Sequence, residues 1–434
     1  MSHLPDGWRL VRFRDLGTWY GGGTPAKNRR EFWIDGEIPW LSPKDMGPHV
    51  IQGTKDHITR PAVTGSSARL VPAGSVAVVV RSGILERTIP VAFVPFETTL
   101  NQDMKAVAPR EDIEPKWIAW GLRYLERSLL DHTRKAGTTV ASLEIPRFLE
   151  AQLPVPPLAE QWRIVEILED HLSRLNAAEA LLKGASRRVT SLEAQAVRSA
   201  LTARDNTEQP RDVFLQPVGV ADGELATLAL PRGWQWTRLG DISEVVGGVT
   251  KDVKKQSAAD LVEVPYLRVA NVQRGRLDLS RVTSIRVPSA KSAALRLRAG
   301  DLLLNEGGDR DKLGRGWIWE DQIANCIHQN HVFRARVRDG GVDPRIVSWA
   351  ANTMGGPWCE RNGKQSVNLA SISLTRIRLM PIPLPPQDEQ TGVIQAIDSV
   401  TAACRLIRSE VSANEAKTSG LKRSLLNAAF SGRL

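Results

Sequence analysis

The chain has 434 residues, 42% of them hydrophobic, with 58 Lys and Arg against 48 Asp and Glu and a formal net charge of +10. This length allows two to four domains with ordinary cores, and the positive balance suits a polyanionic partner, most often nucleic acid. No apolar run is long enough for a membrane span and the N-terminus has no signal-peptide core, while Cys326, Cys359 and Cys404 are scattered and odd in number, which argues against a disulfide framework and for a reducing, cytoplasmic setting.

The chain opens with LPDGWRLVRFRDLG at 4–17, and the phrase returns as LPRGWQWTRLGDIS at 230–243, a shift of 226 residues. Pro and Gly set a turn, and the Trp anchors it by burying a large apolar area. The correspondence continues in order. IPWLSPKDM at 38–46 answers VPYLRVANV at 264–272, and VPAGSVAVVVRSG at 71–83 answers LRAGDLLLNEGG at 297–308. NQDMKAVAP at 101–109 answers QNHVFRARV at 329–337. KAGTTVASL at 135–143 answers KQSVNLASI at 364–372, and PVPPLAEQ at 154–161 answers PLPPQDEQ at 383–390, now shifted by 229. A period this long is no solenoid; it marks the duplication of a domain together with its connector. Short apolar runs bounded by turn residues predict strands, and PKWIAWGLRYLERSLLDH at 115–132 and DPRIVSWAANTMGG at 343–356 predict one helix in each copy.

After each Pro-Pro pair the pattern becomes helical. Leu168, Leu175, Leu182, Val189 and Ala196 lie seven apart, with a second seam at Ile164, Ala178, Ala185 and Leu192. The later copy carries Ile397, Cys404, Val411, Thr418 and Leu425, with Val393, Ile407 and Leu421 beside them. Such spacing predicts coiled-coil helices of ~40 residues, ~60 Å long, which Gly184 and Gly420 are expected to bend or interrupt. The predicted organisation is 1–152 and 230–380 as two mixed α/β domains, 153–204 and 381–434 as helical regions, and 205–229 as a polar, proline-bearing linker.

Catalytic signatures are missing. WCERNGKQS at 358–366 lacks the first Gly of a phosphate-binding loop and has Gln after the Lys, no GxGxxG follows a strand, and the Pro-Pro pairs run into Leu158 and Gln387 rather than an aromatic residue. In CIHQNH at 326–331, Cys326, His328 and His331 are metal-ligand types, but no second cluster completes a site and the repeat aligns this stretch with NQDM, so no metal is expected. The basic, small-residue segments are more informative: GGGTPAKNRR at 21–30, VRSG at 80–83, KAGTT at 135–139, GGVTKDVKK at 247–255, NEGGDRDKLGR at 305–315 and NGKQS at 362–366 recur at corresponding places in the two copies. Glycines allow close backbone approach and leave N–H groups for phosphate, and Arg, Lys, Asn and Gln read base edges. The DNA-facing candidates are Gly21, Gly22, Gly23, Thr24, Lys44, Arg81, Lys135, Thr138 and Thr139 in the first copy, and Lys251, Arg268, Arg310, Lys312 and Lys364 in the second.

Taken with LPDGW and LPRGW, the phrases PVPPLAEQWRIV and PIPLPPQDEQTGVI and the closing NAAFSGRL, the chain resembles the specificity subunits of type I restriction–modification systems over essentially its whole length. The first helical region departs from the pattern by ending VRSALTARD, without an Ala-Phe-x-Gly phrase. The resemblance implies two target-recognition domains, each reading half of a bipartite double-stranded DNA target. It implies two antiparallel helices as the spacer between them, an internal pseudo-twofold, and no catalysis by the chain itself. It also implies two modification (methyltransferase) subunits as partners. These carry S-adenosylmethionine, the chain itself holding no cofactor, and the restriction subunits join through them. Leu168, Leu175, Leu182, Val189, Ile397, Val411, Leu421 and Leu425 are the expected spacer and partner-binding positions. Two other classes compete: a standalone DNA-modifying enzyme, opposed by the missing motifs, and a coiled-coil scaffold, opposed by the charge and the paired basic loops.

Overall fold

The computed structural model describes residues 4–135, 140–202, 230–250, 261–338, 341–365 and 369–434. Thr138, Thr139, Lys251 and the expected linker at 205–229 lie outside the described residues. The chain divides into two compact units, one made of residues 1–183 and 412–434 and the other of residues 184–411.

In the first unit, the strands Gly17–Gly21, Met104–Pro109, Ser75–Val79 and Val91–Val94 form an antiparallel sheet in that order. A second sheet orders Asp56–Ile58, Ile38–Leu41, Thr98–Leu100 and Leu70–Val71. The strand Ser75–Val79 is buried along its whole length, as its unbroken apolar sequence requires. The helices Pro115–Tyr124 and Glu126–Thr133 replace the single predicted helix; the chain breaks step at Leu125. Glu114 caps the first of them through its carboxylate, and Pro115 sits in the first turn, where its missing N–H costs nothing.

The second unit repeats this plan. Ser243–Val246, Val332–Val337, Leu302–Asn305 and Gly316–Ile318 make the four-stranded antiparallel sheet, and Thr283–Pro288, Leu261–Leu267 and Ile327–His328 make a three-stranded one. The helix Pro344–Ala350 starts like its counterpart, with Asp343 as cap, then passes through a π-helical turn at Ala351–Gly355 into Gly356–Asn362.

The opening phrase explains itself in both units. Trp8 N–H donates to the Pro5 carbonyl and Trp234 N–H to that of Pro231, both at 3.1 Å. Gly7 and Gly233 have φ of +80° and +88°, a conformation open to glycine at no steric cost. The strand that follows, Arg9–Arg12 or Gln235–Arg238, pairs antiparallel with Gln152–Val155 or Pro381–Leu384, just before the Pro-Pro stop. The turn thus clamps the entry of the domain onto its exit.

The long helices run Leu158–Leu201 and Gln390–Phe430, 44 and 41 residues. Both are continuous through Gly184 and Gly420, so neither glycine interrupts its helix, and packing along the helix outweighs the propensity cost of about 1 kcal/mol. They pair antiparallel within each unit. In the first, Lys422 Nζ bonds Glu179 at 2.5 Å and Asn176 at 2.6 Å; in the second, Arg408 forms a two-pronged pair with Glu193. Leu168 is fully buried, Val189, Ile397, Cys404, Val411 and Thr418 are buried, and Leu175, Leu182 and Leu425 are half-buried, as the first seam predicts. The second seam is corrected. Ile164 is fully buried and Ala178 and Ala185 are half-buried, but Leu192, Ile407 and Leu421 are 60%, 47% and 57% exposed, and one residue later Val165 and Leu172 are buried while Glu179 meets Lys422 and Glu193 meets Arg408.

The helix ends complete each unit's core from the other half of the sequence. Phe430 packs on Trp117 and Tyr124, with ring centroids 4.4 and 4.9 Å apart. Val197 and Leu201 join the core of the second unit beside Ile346, Ile394 and Ile397.

Candidate nucleic-acid interface

The end of the central buried strand carries Arg81 in the first unit. Val80 N–H donates to the Asp103 carbonyl at 2.8 Å, and Leu143 N–H donates to the Val80 carbonyl at 2.9 Å. Lys135 N–H donates to the Ser142 carbonyl at 2.9 Å, so Arg81 and Lys135 lie on two sides of the segment Ala141–Leu143. The Arg81 guanidinium meets the Asp103 carboxylate at 2.5 Å and is half exposed. Two clefts share Arg81. One, of about 920 Å³, also takes Lys27, Trp33, Trp40, Lys44 and Asn101. The other, of about 590 Å³, takes Gln102, Lys105 and Lys135. Lys44 is exposed on a turn that Asp45 closes by accepting from Ser42 N–H and Oγ, both at 2.9 Å.

The same bonds recur in the second unit. Glu306 N–H donates to the His331 carbonyl at 3.0 Å, Ile372 N–H to the Glu306 carbonyl at 2.8 Å, and Lys364 pairs with Ser371. His331 takes the place of Asp103, and its Nδ1 lies 2.6 Å from the Glu306 carboxylate. Arg310 reaches the Glu360 carbonyl at 3.1 Å, and Lys312 pairs with Asp309, holding that carboxyl below its usual range. Lys364 is exposed. Arg268 is half-buried, in a turn built like that of Ser42: its N–H donates to the Asn271 side chain at 2.9 Å.

Of the sequence candidates, Lys44, Arg81 and Lys135 fall together, and Arg310, Lys312 and Lys364 surround one small sheet of Gly307–Gly308, Ala370–Ser371 and Lys364–Gln365. The glycine run behaves otherwise than expected. Gly22 and Gly23 donate their N–H groups to the carbonyls of Met104 and Leu100, at 3.3 and 2.8 Å, which removes them as phosphate donors. A Cβ on Gly22 would stand 1.8 Å from the Asn101 carbonyl oxygen, and one on its counterpart Gly248 would stand 2.0 Å from that of His328. These glycines serve the close approach of two protein backbones. Gly21 ends its strand, paired with Lys105, and Thr24 hydrogen-bonds Gln102 while accepting from Asn101 at 3.3 Å. Sequence reading passed over Asn101, Gln102 and Lys105; the signal was present, since NQDMK opens one of the repeated blocks at a strand edge.

No catalytic grouping accompanies these faces among the described residues. His328 is buried with Nδ1 donating to the Val332 carbonyl at 2.6 Å, and Cys326 lies in an apolar cluster with Trp319 and Leu303. Burial pushes the Cys326 and Cys359 thiols up to about 12, far from nucleophilic range.

Residues 5–183 match the family model for the type I restriction modification DNA specificity domain. Over 155 residues the chain is 48% identical to the specificity subunit of the type I restriction enzyme EcoR124I/EcoR124II of Escherichia coli, covering 36% of this chain and 38% of that relative. Residues 5–183 thus carry a type I restriction–modification DNA specificity domain. It is 25% identical over 281 residues to the MjaIX specificity subunit of Methanocaldococcus jannaschii, covering 63% of this chain and 60% of that one. These two curated relatives are therefore matched over less than two thirds of their own length. The EcoKI specificity subunit of Escherichia coli K12 matches at 20% over 439 residues, 99% of this chain and 90% of the relative. A chain from a solved type I restriction–modification assembly superposes with a TM-score of 0.72 at 18% identity, covering all of both chains, so the two share a fold: two mixed α/β domains with long helices. No helix among the described residues is long and apolar enough to cross a membrane.

Proposed function

We propose that this chain is the DNA-reading, non-catalytic subunit of a type I restriction–modification complex in which each recognition domain, 1–152 and 230–380, reads one half of a bipartite target. The observation that carries this reading is the recurrence of one basic face, Arg81 with Lys135 and Lys44 in one unit and Arg310 and Lys312 with Lys364 in the other, at the edge of the same hydrogen-bonded strands. A tandem repeat supplies two similar readers, as a dimer does, and dimers read half-sites about one helical turn apart, ~34–36 Å. The helical regions 153–204 and 381–434 set the gap and dock two modification subunits. Those subunits bring S-adenosylmethionine and methylate adenine, and the restriction subunits join through them in the cytoplasm. Arg81, freed from Asp103, has the planar fork that reads guanine, whereas Lys44, Lys135, Lys312 and Lys364 suit phosphate.

Affinity for duplex DNA, measured against salt on the chain assembled with its modification subunits, tests this. Lys135→Ala should weaken binding to every sequence alike and lower the salt slope by about one, while Arg81→Ala should cost ~1–3 kcal/mol at one base position. Unchanged affinity and slope in both variants would remove the two faces from the interface. Methyl transfer or cleavage by the purified chain alone would favour a standalone enzyme instead.

A further inference from the structure

The helix seam carries a charge code visible only when the repeat and the pairing are laid over each other. Glu179 and Glu193 stand two heptads apart on the proximal helix, and Arg408 and Lys422 two heptads apart on the distal one. Glu179 meets Lys422 in the first unit and Glu193 meets Arg408 in the second, first with last, as an antiparallel pair demands. The repeat shift of 229 carries Glu179 onto Arg408 and Glu193 onto Lys422. Equivalent positions of the two copies therefore hold opposite charges.

The apolar seam makes no such distinction: Leu168, Leu175, Leu182 and Val189 recur as Ile397, Cys404, Val411 and Thr418, all inward-facing. By hydrophobic pattern alone, two proximal helices from two copies of the chain would fit each other as well as proximal fits distal. The charges decide otherwise. Two proximal helices laid antiparallel in the same register set Glu179 of one against Glu193 of the other, twice along the contact. Two distal helices set Arg408 against Lys422. Like charges held on a packed seam are opposed at close range, where screening is incomplete.

We infer that these four residues select the partner of each helix: a proximal helix accepts a distal helix and rejects a second proximal helix, so that a chain closes on itself instead of pairing like with like across two copies. Two polar neighbours support the first matched pair. Lys183 bonds Glu179 at 2.9 Å, and Asn176 accepts from Lys422 at 2.6 Å. Lys422 holds the Glu179 carboxyl down to about 2, so the carboxylate stays charged through the neutral range. The inference makes no use of the DNA-reading role and stands or falls apart from it.

The full-length chain allows a test at constant net charge. Glu193→Lys with Lys422→Glu sets Glu against Glu and Lys against Arg inside the chain, yet makes both like-with-like pairings attractive. That double variant should become a concentration-dependent dimer in sedimentation, with its melting point about 5 °C or more below the parent at low concentration. Ser186, midway between the two glutamates, faces its own copy in such a dimer, so adding Ser186→Cys should give an interchain disulfide. The parent chain with Ser186→Cys alone should stay monomeric. Inverting all four charges restores attraction within the chain and repulsion between like helices, and should return a monomer with the parent melting point. A double variant that remains monomeric at every concentration, whatever its melting point, overturns the inference; so does a parent that cross-links through Cys at 186, or a fourfold variant that fails to recover.

Discussion

His328 shows how a chemically suggestive residue is fixed by its surroundings. Burial lowers its pKa from the ordinary 6.5 to about 4, with the Val332 carbonyl opposing the shift and Arg334 adding to it. Because the folded pKa lies below the unfolded one, the neutral ring is the stable form. Its contribution is intact above pH 6.5 and is lost as pH falls towards 4. The second unit should therefore lose roughly 3 kcal/mol across that window, and His328→Asn should flatten this part of a thermal-melting pH profile. A profile unchanged by the substitution would mean the ring is solvated. The sequence suggested a ligand type here, but the repeat aligns His328 with Leu100, a core leucine, and that correspondence was the better guide. Gly22 and Gly23 were read for the wrong neighbour: a glycine run states that something comes close, not whether it is a phosphate or another strand.

At the level of elements, the Glu-Gln after each Pro-Pro stop turned out to be a fastener. Gln161 is fully buried; it accepts from Glu114 N–H at 2.9 Å and donates to the Asp112 and Pro156 carbonyls at 3.0 and 2.9 Å. Gln390 repeats this with Asp343, Gly341 and Pro385. Each glutamine ties the start of a long helix to the cap of the domain's own helix. Gln161→Ala strands those backbone groups and should lower stability by ~2–3 kcal/mol, measured by denaturant unfolding, whereas Trp162→Ala on the exposed side should cost less. The existence, phase and length of the helices were legible because Leu168, Leu175 and Leu182 repeat over many turns. The second column was missed by one residue for a physical reason. Its central members are Glu179 and Glu193, which turn inward because they pair with Lys422 and Arg408, and apolar periodicity points instead to Ala178 and Leu192 next door.

For the whole molecule, the duplication predicts that recognition is divisible. Replacing residues 1–152 with those of a relative should change one half of the methylated target and leave the other half and the gap as they were, read by mapping modified adenines in DNA from cells carrying the complex. Both halves changing together would end the modular account. The repeat foretold two similar domains and their helices from PxGW to PP-x-x-EQ, since local turn chemistry and apolar runs carry that information. It did not foretell that each compact unit would borrow the far end of the other copy's helix. That exchange depends on the antiparallel pairing of two segments more than two hundred residues apart, which no local pattern records.

The borrowed helix end also imposes an order in time. While the chain is being synthesised, Trp117 and Tyr124 emerge long before Phe430, the side chain that covers them. The first unit must therefore wait, with an aromatic surface uncovered, until synthesis has passed Phe430. Closing so distant a contact is slow and leaves a sticky intermediate in the interval. The second unit has no such wait: Val197 and Leu201 precede the domain they complete, so its lid is made before its box.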